Sequence, residues 1–460
     1  MNISLLFYAT ITVFGIIYIA LALLPGKQIK NKTDYFLAGR NLGVLKATCT
    51  LIATQLGAGL LLGTSQQAYH MGLYSLLFTF GISIGLIILG CGLAGKLRSL
   101  QIVTTTQIFE KKYHSQILRK VASLLVTFTL CGILVGNMVA SKSLMHSLGF
   151  ESDFFFALFW LFIIVYTMIG GLHAVVLTDL VQVSFIVLVF VGITIFSFFA
   201  PHHLFSLATL GTIQDQFSGH LPDASHLVNI LLMPALFALF EQDLAQIFFA
   251  SKTKTVATVT AIITTFFMLT FGLIPIYLGM QAKLMGLVVA DDHSPLLEIV
   301  KHMTGNTMVV MVASGILAAI ASTADALLCA IGANLTQDFS FGFLRLSPVV
   351  ESKAVTFAMG ILVFGASYFM PQDIISILVS SYAVPVSILL IPILTAYFMP
   401  QVKKYAGLGG AIGGTIGLIA FYFFPIPFHS IITLLLSLAG YIVGHIIQPN
   451  NPRPATPQAS

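Results

Sequence analysis

The sequence predicts an all-α membrane protein with about thirteen transmembrane helices, and three observations carry that prediction. The chain of 460 residues is 57 % hydrophobic and 8 % charged, where a soluble domain is roughly 45–50 % apolar and 25 % charged. Apolar runs recur from one end to the other, each near the ~20 residues that cross a bilayer. The loops between them alternate in charge, as the loops of a multi-pass protein do.

In chain order the spans lie near 3–24, 44–69, 73–95, 120–146, 153–170, 177–200, 227–250, 256–281, 306–337, 353–369, 373–398, 405–424 and 428–447. The first run, Ile3 to Leu24, has neither a basic start nor a small-residue cleavage site, so it reads as a retained span and not a signal peptide. Lys27, Lys30, Lys32 and Arg40 follow the first span; Lys96, Arg98, Lys111, Lys112, Arg119 and Lys120 surround the loop after the third; Lys252 and Lys254 follow the seventh. Arg345 and Lys353 follow the ninth, Lys403 and Lys404 the eleventh, and Arg453 lies in the tail. All of these fall on one side. The opposite loops hold Lys283 and Lys301 among Glu151, Asp153, Asp215, Asp223, Asp291, Asp292 and Glu298. The positive-inside rule then puts the N-terminus outside and the C-terminus in the cytoplasm, with the protein multi-pass in the cytoplasmic membrane.

The same sidedness accounts for the net charge of +5, which implies no nucleic-acid partner. Cys49, Cys91, Cys131 and Cys329 all lie in apolar runs and form no C-x-x-C pair, so neither a disulfide frame nor a metal cluster is expected. No H-x-x-x-H pair, G-x-S-x-G elbow or phosphate loop is present, and an enzyme is not expected.

Two spans are interrupted. Gly57-Ala58-Gly59 and Gly63 break the second after Thr54-Gln55, and Pro234 breaks the seventh. Glycine and proline are common in membrane helices, yet breaks at matching places also point to two inverted halves with binding groups at the breaks. On that reading 44–200 is the first half and 227–398 its inverted repeat. An additional helix, 3–24, precedes them; two more, 405–447, follow; 448–460 is a cytoplasmic tail. The whole is a single transporter domain.

Polar groups inside the spans need a reason. Ala319, Ser322 and Thr323 share one helix face in the run Leu317 to Asp325. Two readings stand: a small-cation site of neutral oxygens, or a small-residue seam whose hydroxyls bond their own helix. Asp179 and Asp325 are carboxylates at depth, suited to attracting sodium, carrying a proton or capping a helix. Glu241-Gln242-Asp243 stands in the inner half of the seventh span, beside an expected water-filled vestibule, and Lys142 snorkels at the end of the fourth.

Four segments together resemble the sodium:solute symporter family, whose members include proline, pantothenate and sugar symporters. They are Asp34-Tyr35-Phe36-Leu37-Ala38-Gly39-Arg40; Tyr166 through Gly170-Gly171-Leu172 to Thr178-Asp179 and Gln182; Phe240-Glu241-Gln242 through Gln246 to Ala250-Ser251-Lys252; and Leu317 to Thr323 followed by Thr336-Gln337-Asp338. The resemblance runs from Asp34 to about Tyr397 and implies a leucine-transporter (LeuT)-like core of two inverted five-helix repeats. It implies a sodium site made by the backbone carbonyls of Ala53, Leu56 and Ala319 with the hydroxyls of Ser322 and Thr323, and a sodium exit path past Asp179. The substrate region departs from the family: Gln55 stands where relatives carry Asp or Asn, Gly57 and Gly59 replace larger or polar residues, and the polar set of the sugar transporters is largely missing. Ile247 and His173 replace family arginines on the cytoplasmic side.

The resulting expectation is a sodium-coupled importer working by alternating access. Its partners are sodium, a small organic solute and the lipid bilayer, with no cofactor beyond the coupling ion and no protein partner. The solute would lie against the broken backbone at Gly57 and Gly59, with Gln55, Phe237, Ser380, Ser381 and Tyr382 as contacts. An amino acid such as proline, or a monocarboxylate, fits a site without a buried cation. The alternatives are a proton-coupled carrier of the same fold and a transporter-like sensor, for which the tail 448–460 is small.

Overall fold

A computed structural model describes all residues except 1–2, 27–28, 151, 200–222, 291–292, 340–346, 371–372, 425 and 449–460. Of the charges used to orient the chain, Lys27, Glu151, Asp215, Asp291, Asp292, Arg345 and Arg453 lie outside the described residues, as does nearly all of the expected tail. Among the described residues there is no β-sheet, only one isolated bridge between Leu42 and Ser251.

The helices are α1 (Ile3–Gly26), α2 (Lys32–Leu37), α3 (Val44–Gln55), α4 (Thr64–Met71), α5 (Leu76–Ile88), α6 (Ala94–Ser99), α7 (Gln107–Tyr113), α8 (Gln116–Ser147) and α9 (Asp153–Phe199). Then come α10 (Ala224–Phe237), α11 (Gln242–Ala250), α12 (Lys254–Phe271), α13 (Leu273–Leu284), α14 (Pro295–Met303) and α15 (Asn306–Asp338). The last four are α16 (Pro348–Ser367), α17 (Ile374–Phe398), α18 (Lys404–Phe423) and α19 (His429–Ile447).

Among the described residues, eleven helical runs are long and apolar enough to cross a membrane, not the expected thirteen. The difference lies in two runs that exceed one crossing, Gly59–Ser99 with 41 residues and Asp153–Phe199 with 47. Each contains a glycine with positive φ, Gly72 at 63° and Gly171 at 52°, a conformation that costs glycine nothing and interrupts a helix. At Gly171 a Cβ would also stand 2.5 Å from the Tyr35 carbonyl, so α2 packs directly onto that turn.

Both expected breaks are present. α3 ends at Gln55, and the chain resumes as one wide π turn, Gly59–Gly63, before α4. α10 ends at Phe237 after Pro234, and α11 starts at Gln242. α15 is the centre of the molecule: every residue from 312 to 334 is buried, against α8, α9 and α3. α18 and α19 pair closely at the periphery against α17, with Gly409, Gly413 and Gly440 letting backbones approach.

The sequence segments that carried the resemblance meet on one side of the bundle. The Tyr35 hydroxyl donates to the Met168 carbonyl at 2.9 Å, and Arg40 donates to the carbonyls of Phe249 at 3.3 Å and Ile102 at 3.0 Å. Gln242 accepts from the Thr105 N–H at 2.8 Å and donates to the Val103 carbonyl at 3.0 Å. These polar residues hold the loops that tie α2, α9 and α11 together.

Candidate functional site

A helix leaves its last carbonyls without partners, and α3 ends inside the protein. Two of its final carbonyls, Ala53 and Thr54, find hydroxyls on α15. The Ser322 hydroxyl shares its one proton between the carbonyls of Ala53 at 3.0 Å and Ala319 at 2.9 Å. The Thr323 hydroxyl lies 3.4 Å from the Ala53 carbonyl, 3.0 Å from that of Thr54 and 3.1 Å from that of Ala319. Gly57 makes the approach possible, since a Cβ there would lie 2.5 Å from Thr323 Oγ1. Leu56 is fully buried at the same broken end, its N–H bonded to the Ile52 carbonyl at 2.9 Å.

The arrangement collects neutral oxygens at the negative end of a helix dipole. A hard monovalent cation replaces such hydroxyl-to-carbonyl bonds with oxygen ligation, using lone pairs of the same atoms. Carboxylates stand nearby. Asp325, 0 % exposed, accepts from Tyr166 at 2.8 Å through Oδ2, whereas its Oδ1 and both oxygens of Asp179 have no hydrogen-bond partner. Asp179 lies within electrostatic reach of Asp325 and beside Thr50, so this buried region is acidic and incompletely satisfied.

Next to Thr323 lies a small central cavity of about 40 Å³, lined by Gln55, Gly57, Gly59, Pro234, Phe237, Glu241, Asp243 and Tyr382 among others. That is room for a few waters, not for an organic solute. Of the expected solute contacts, Gln55, Gly57, Gly59, Phe237 and Tyr382 are brought together here. Ser380 and Ser381 are not. Ser380 is exposed, and Ser381 donates to the Ile377 carbonyl at 2.7 Å while its hydroxyl faces Gly132 of α8. Helical periodicity turns both away from the face that Tyr382 presents.

Two features escaped the sequence reading. Asn137 of α8 accepts the Ala58 N–H at 3.1 Å, capping the second half of the broken helix; an amide in mid-span was the available signal. Glu241 and Asp243 were expected at an inner vestibule and instead line the central cavity, because the break after Phe237 turns the start of α11 toward Tyr382. A larger space of about 460 Å³ between α1, α9 and α15 is lined mostly by apolar and aromatic residues, with Thr12 and Ser314 and no charged residue.

Sodium:solute symporters are defined by a sequence pattern that this chain matches over residues 35–414, more than half its length, and the chain belongs to that family. Among its relatives, the osmoregulated proline transporter OpuE of Bacillus subtilis is 30 % identical over 196 residues, 40 % of each chain. The sodium/proline symporter of Haemophilus influenzae is 25 % identical over 359 residues, 73 % of this chain and 71 % of that one. The first of these is thus spanned over less than half its length.

Solved structures give the fold. A sodium-coupled sialic acid symporter, substrate-bound and outward-open, superposes with a TM-score of 0.79 at 18 % identity, covering 96 % of this chain and 98 % of that one. A nucleobase-cation-symport-1 family transporter in a closed conformation gives 0.60 at 14 % identity, over 89 % and 93 %. The fold is therefore the LeuT-like one, and the family and its neighbours are transporters.

Proposed function

We propose that this protein imports a small organic solute across the cytoplasmic membrane together with sodium, by alternating access. The observation that carries the reading is the junction of α3 with α15, where the carbonyls of Ala53 and Ala319 and the hydroxyls of Ser322 and Thr323 converge. Leu56 supplies the fifth ligand from the same broken end. An ion at that junction draws α3 and α15 together, and it stabilises only the conformation in which both helices supply oxygens at once. Inward sodium flow then drives uptake, each charge contributing about 2.3 kcal/mol per 100 mV. Asp179 lies on the ion's way to the cytoplasm.

The halves 44–200 and 227–398 move against each other around the cavity, with the N-terminus outside and the C-terminus inside. An amino acid such as proline is the favoured solute, in keeping with the names of two relatives. A monocarboxylate fits less well beside Glu241 and Asp243. The test is uptake of labelled proline, pyruvate, choline and glucose into proteoliposomes. Accumulation of one of them under an inward sodium gradient, and not with potassium, supports the reading.

One observation favours a second reading. The unpartnered oxygens of Asp179 and Asp325 suit a carrier that moves protons. Uptake that follows an imposed pH gradient and ignores sodium would replace the first reading with this one.

A further inference from the structure

The central cavity is electrostatically one-sided in a way that sodium coupling does not use. Glu241 and Asp243 line it, and none of its lining residues is Lys, Arg or His. Among the described residues no ion pair reaches either carboxylate. Asp243 is 3 % exposed, and its Oδ1 has no hydrogen-bond partner.

Helix capping does not account for the pair. The Asp243 carboxylate meets the backbone N–H groups of Asp243 and Leu244, but the N-terminus of α11 offsets only about half a unit of negative charge, and Glu241 at its N-cap makes no side-chain capping bond. Two carboxylates withdrawn from water remain costly until a positive group completes them. Their position also shields the α11 N–H groups that would otherwise have received a solute carboxylate.

The aromatic residues Phe237 and Tyr382 line the same cavity. The rings of Phe237 and Tyr382 stack at 5.0 Å with an interplanar angle of 18°, and Tyr382 lies within electrostatic reach of both carboxylates. A carboxylate pair beside aromatic faces is the chemistry that recognises an alkylated ammonium, by charge attraction and by the ring quadrupole.

We propose that Glu241, Asp243 and the Phe237–Tyr382 pair form the subsite for the substituted ammonium group of the transported solute. The protein thereby selects an amine or quaternary amine over monoanions and neutral sugars. This rests on the reading of the cavity as the solute site.

The test measures binding, so that it does not depend on transport. Purified full-length protein in detergent with sodium is titrated with proline, choline, tetramethylammonium, pyruvate and glucose, reading the shift in Tm. At least one of the three ammonium probes raises Tm, and pyruvate and glucose do not. In the E241Q/D243N variant the affinity for that probe falls at least about tenfold, while the Tm shift caused by sodium alone is retained.

Binding of pyruvate or glucose ahead of every ammonium probe, no binding of any ammonium probe, or unchanged affinity in E241Q/D243N would overturn the subsite. Should the double variant fail to fold, the ranking of probes by the natural protein decides alone. Ammonium binding without sodium-driven accumulation in proteoliposomes would refute symport and leave the subsite standing.

Discussion

Thr323 and Gly57 face each other across the junction proposed as the ion site. A methyl group on Gly57 would stand 2.5 Å from Thr323 Oγ1, so the Gly57→Ala variant has to move either the hydroxyl or the broken end of α3. Sodium affinity, read by sodium-induced stabilisation, is expected to fall about tenfold or more, because overpacking displaces a donor where no side chain has room to yield. Asn137 acts at the other end of the break. Asn137→Ala leaves the Ala58 N–H buried without its acceptor, and a loss of roughly 1–3 kcal/mol is expected, read as a lower Tm in detergent. An unchanged Tm would show that water takes the amide's place.

Ser322 and Thr323 were legible from spacing alone, since hydroxyls three and four residues after Ala319 must share its face. That the same face meets the Ala53 carbonyl, 269 residues from Ser322, was not contained in any local pattern and came only with the family resemblance; the contact of Thr323 with the Thr54 carbonyl was in neither. Ser380 and Ser381 show the opposite error. They were named together with Tyr382 from one helix, and adjacent residues on a helix point in different directions.

Among the elements, the end of α15 is held by charge. Arg119 Nε donates to Asp338 Oδ1 at 2.8 Å, and another guanidinium nitrogen donates to the Gln337 carbonyl at 2.6 Å. Arg119 also pairs with Glu110 of α7, and Thr104 donates to Asp338 at 3.0 Å. The Asp338 side chain is 0 % exposed. Arg119→Ala strands it, and a destabilisation of about 3 kcal/mol is expected from Tm measurements.

Glu110 gives the same network a pH signature. The Arg119 hydrogen bond holds its carboxyl below the ordinary value of 4.5, so its pairing stabilises the fold above that value. The contribution is lost as pH falls through the lowered folded pKa. The natural protein should therefore lose Tm more steeply than Glu110→Gln below about pH 4.5, and parallel acid limbs would contradict the pairing.

The breaks in the second and seventh spans were readable because glycine and proline mark them directly. The direction in which the seventh break aims Glu241 was not, since it depends on how α10 rests against α17 and α11 against α3 and α15.

At the scale of the whole molecule, composition and loop charge were sufficient for a multi-pass helical protein, because the bilayer leaves a chain few alternatives. The number of crossings was harder to count, since successive helices meet directly at the turns of Gly72 and Gly171 with no loop between them. Family membership followed from four separated segments, and the structure gives their polar residues a common task in fixing α2, α9 and α11 to one another. In the proposed mechanism the two halves move about the contact of α3 with α15, which the ion is proposed to bridge.

The most direct test of that bridge is equilibrium binding of radiolabelled sodium to the purified natural protein and to its S322A/T323A variant. Both must first elute as a single folded species, as expected for a change that removes two hydroxyls and little volume. Saturable binding to the natural protein that is lost in the variant, together with loss of sodium-driven uptake in proteoliposomes, is the predicted result. Equal sodium affinity in the two proteins would contradict the account and move the ion away from the junction of α3 with α15.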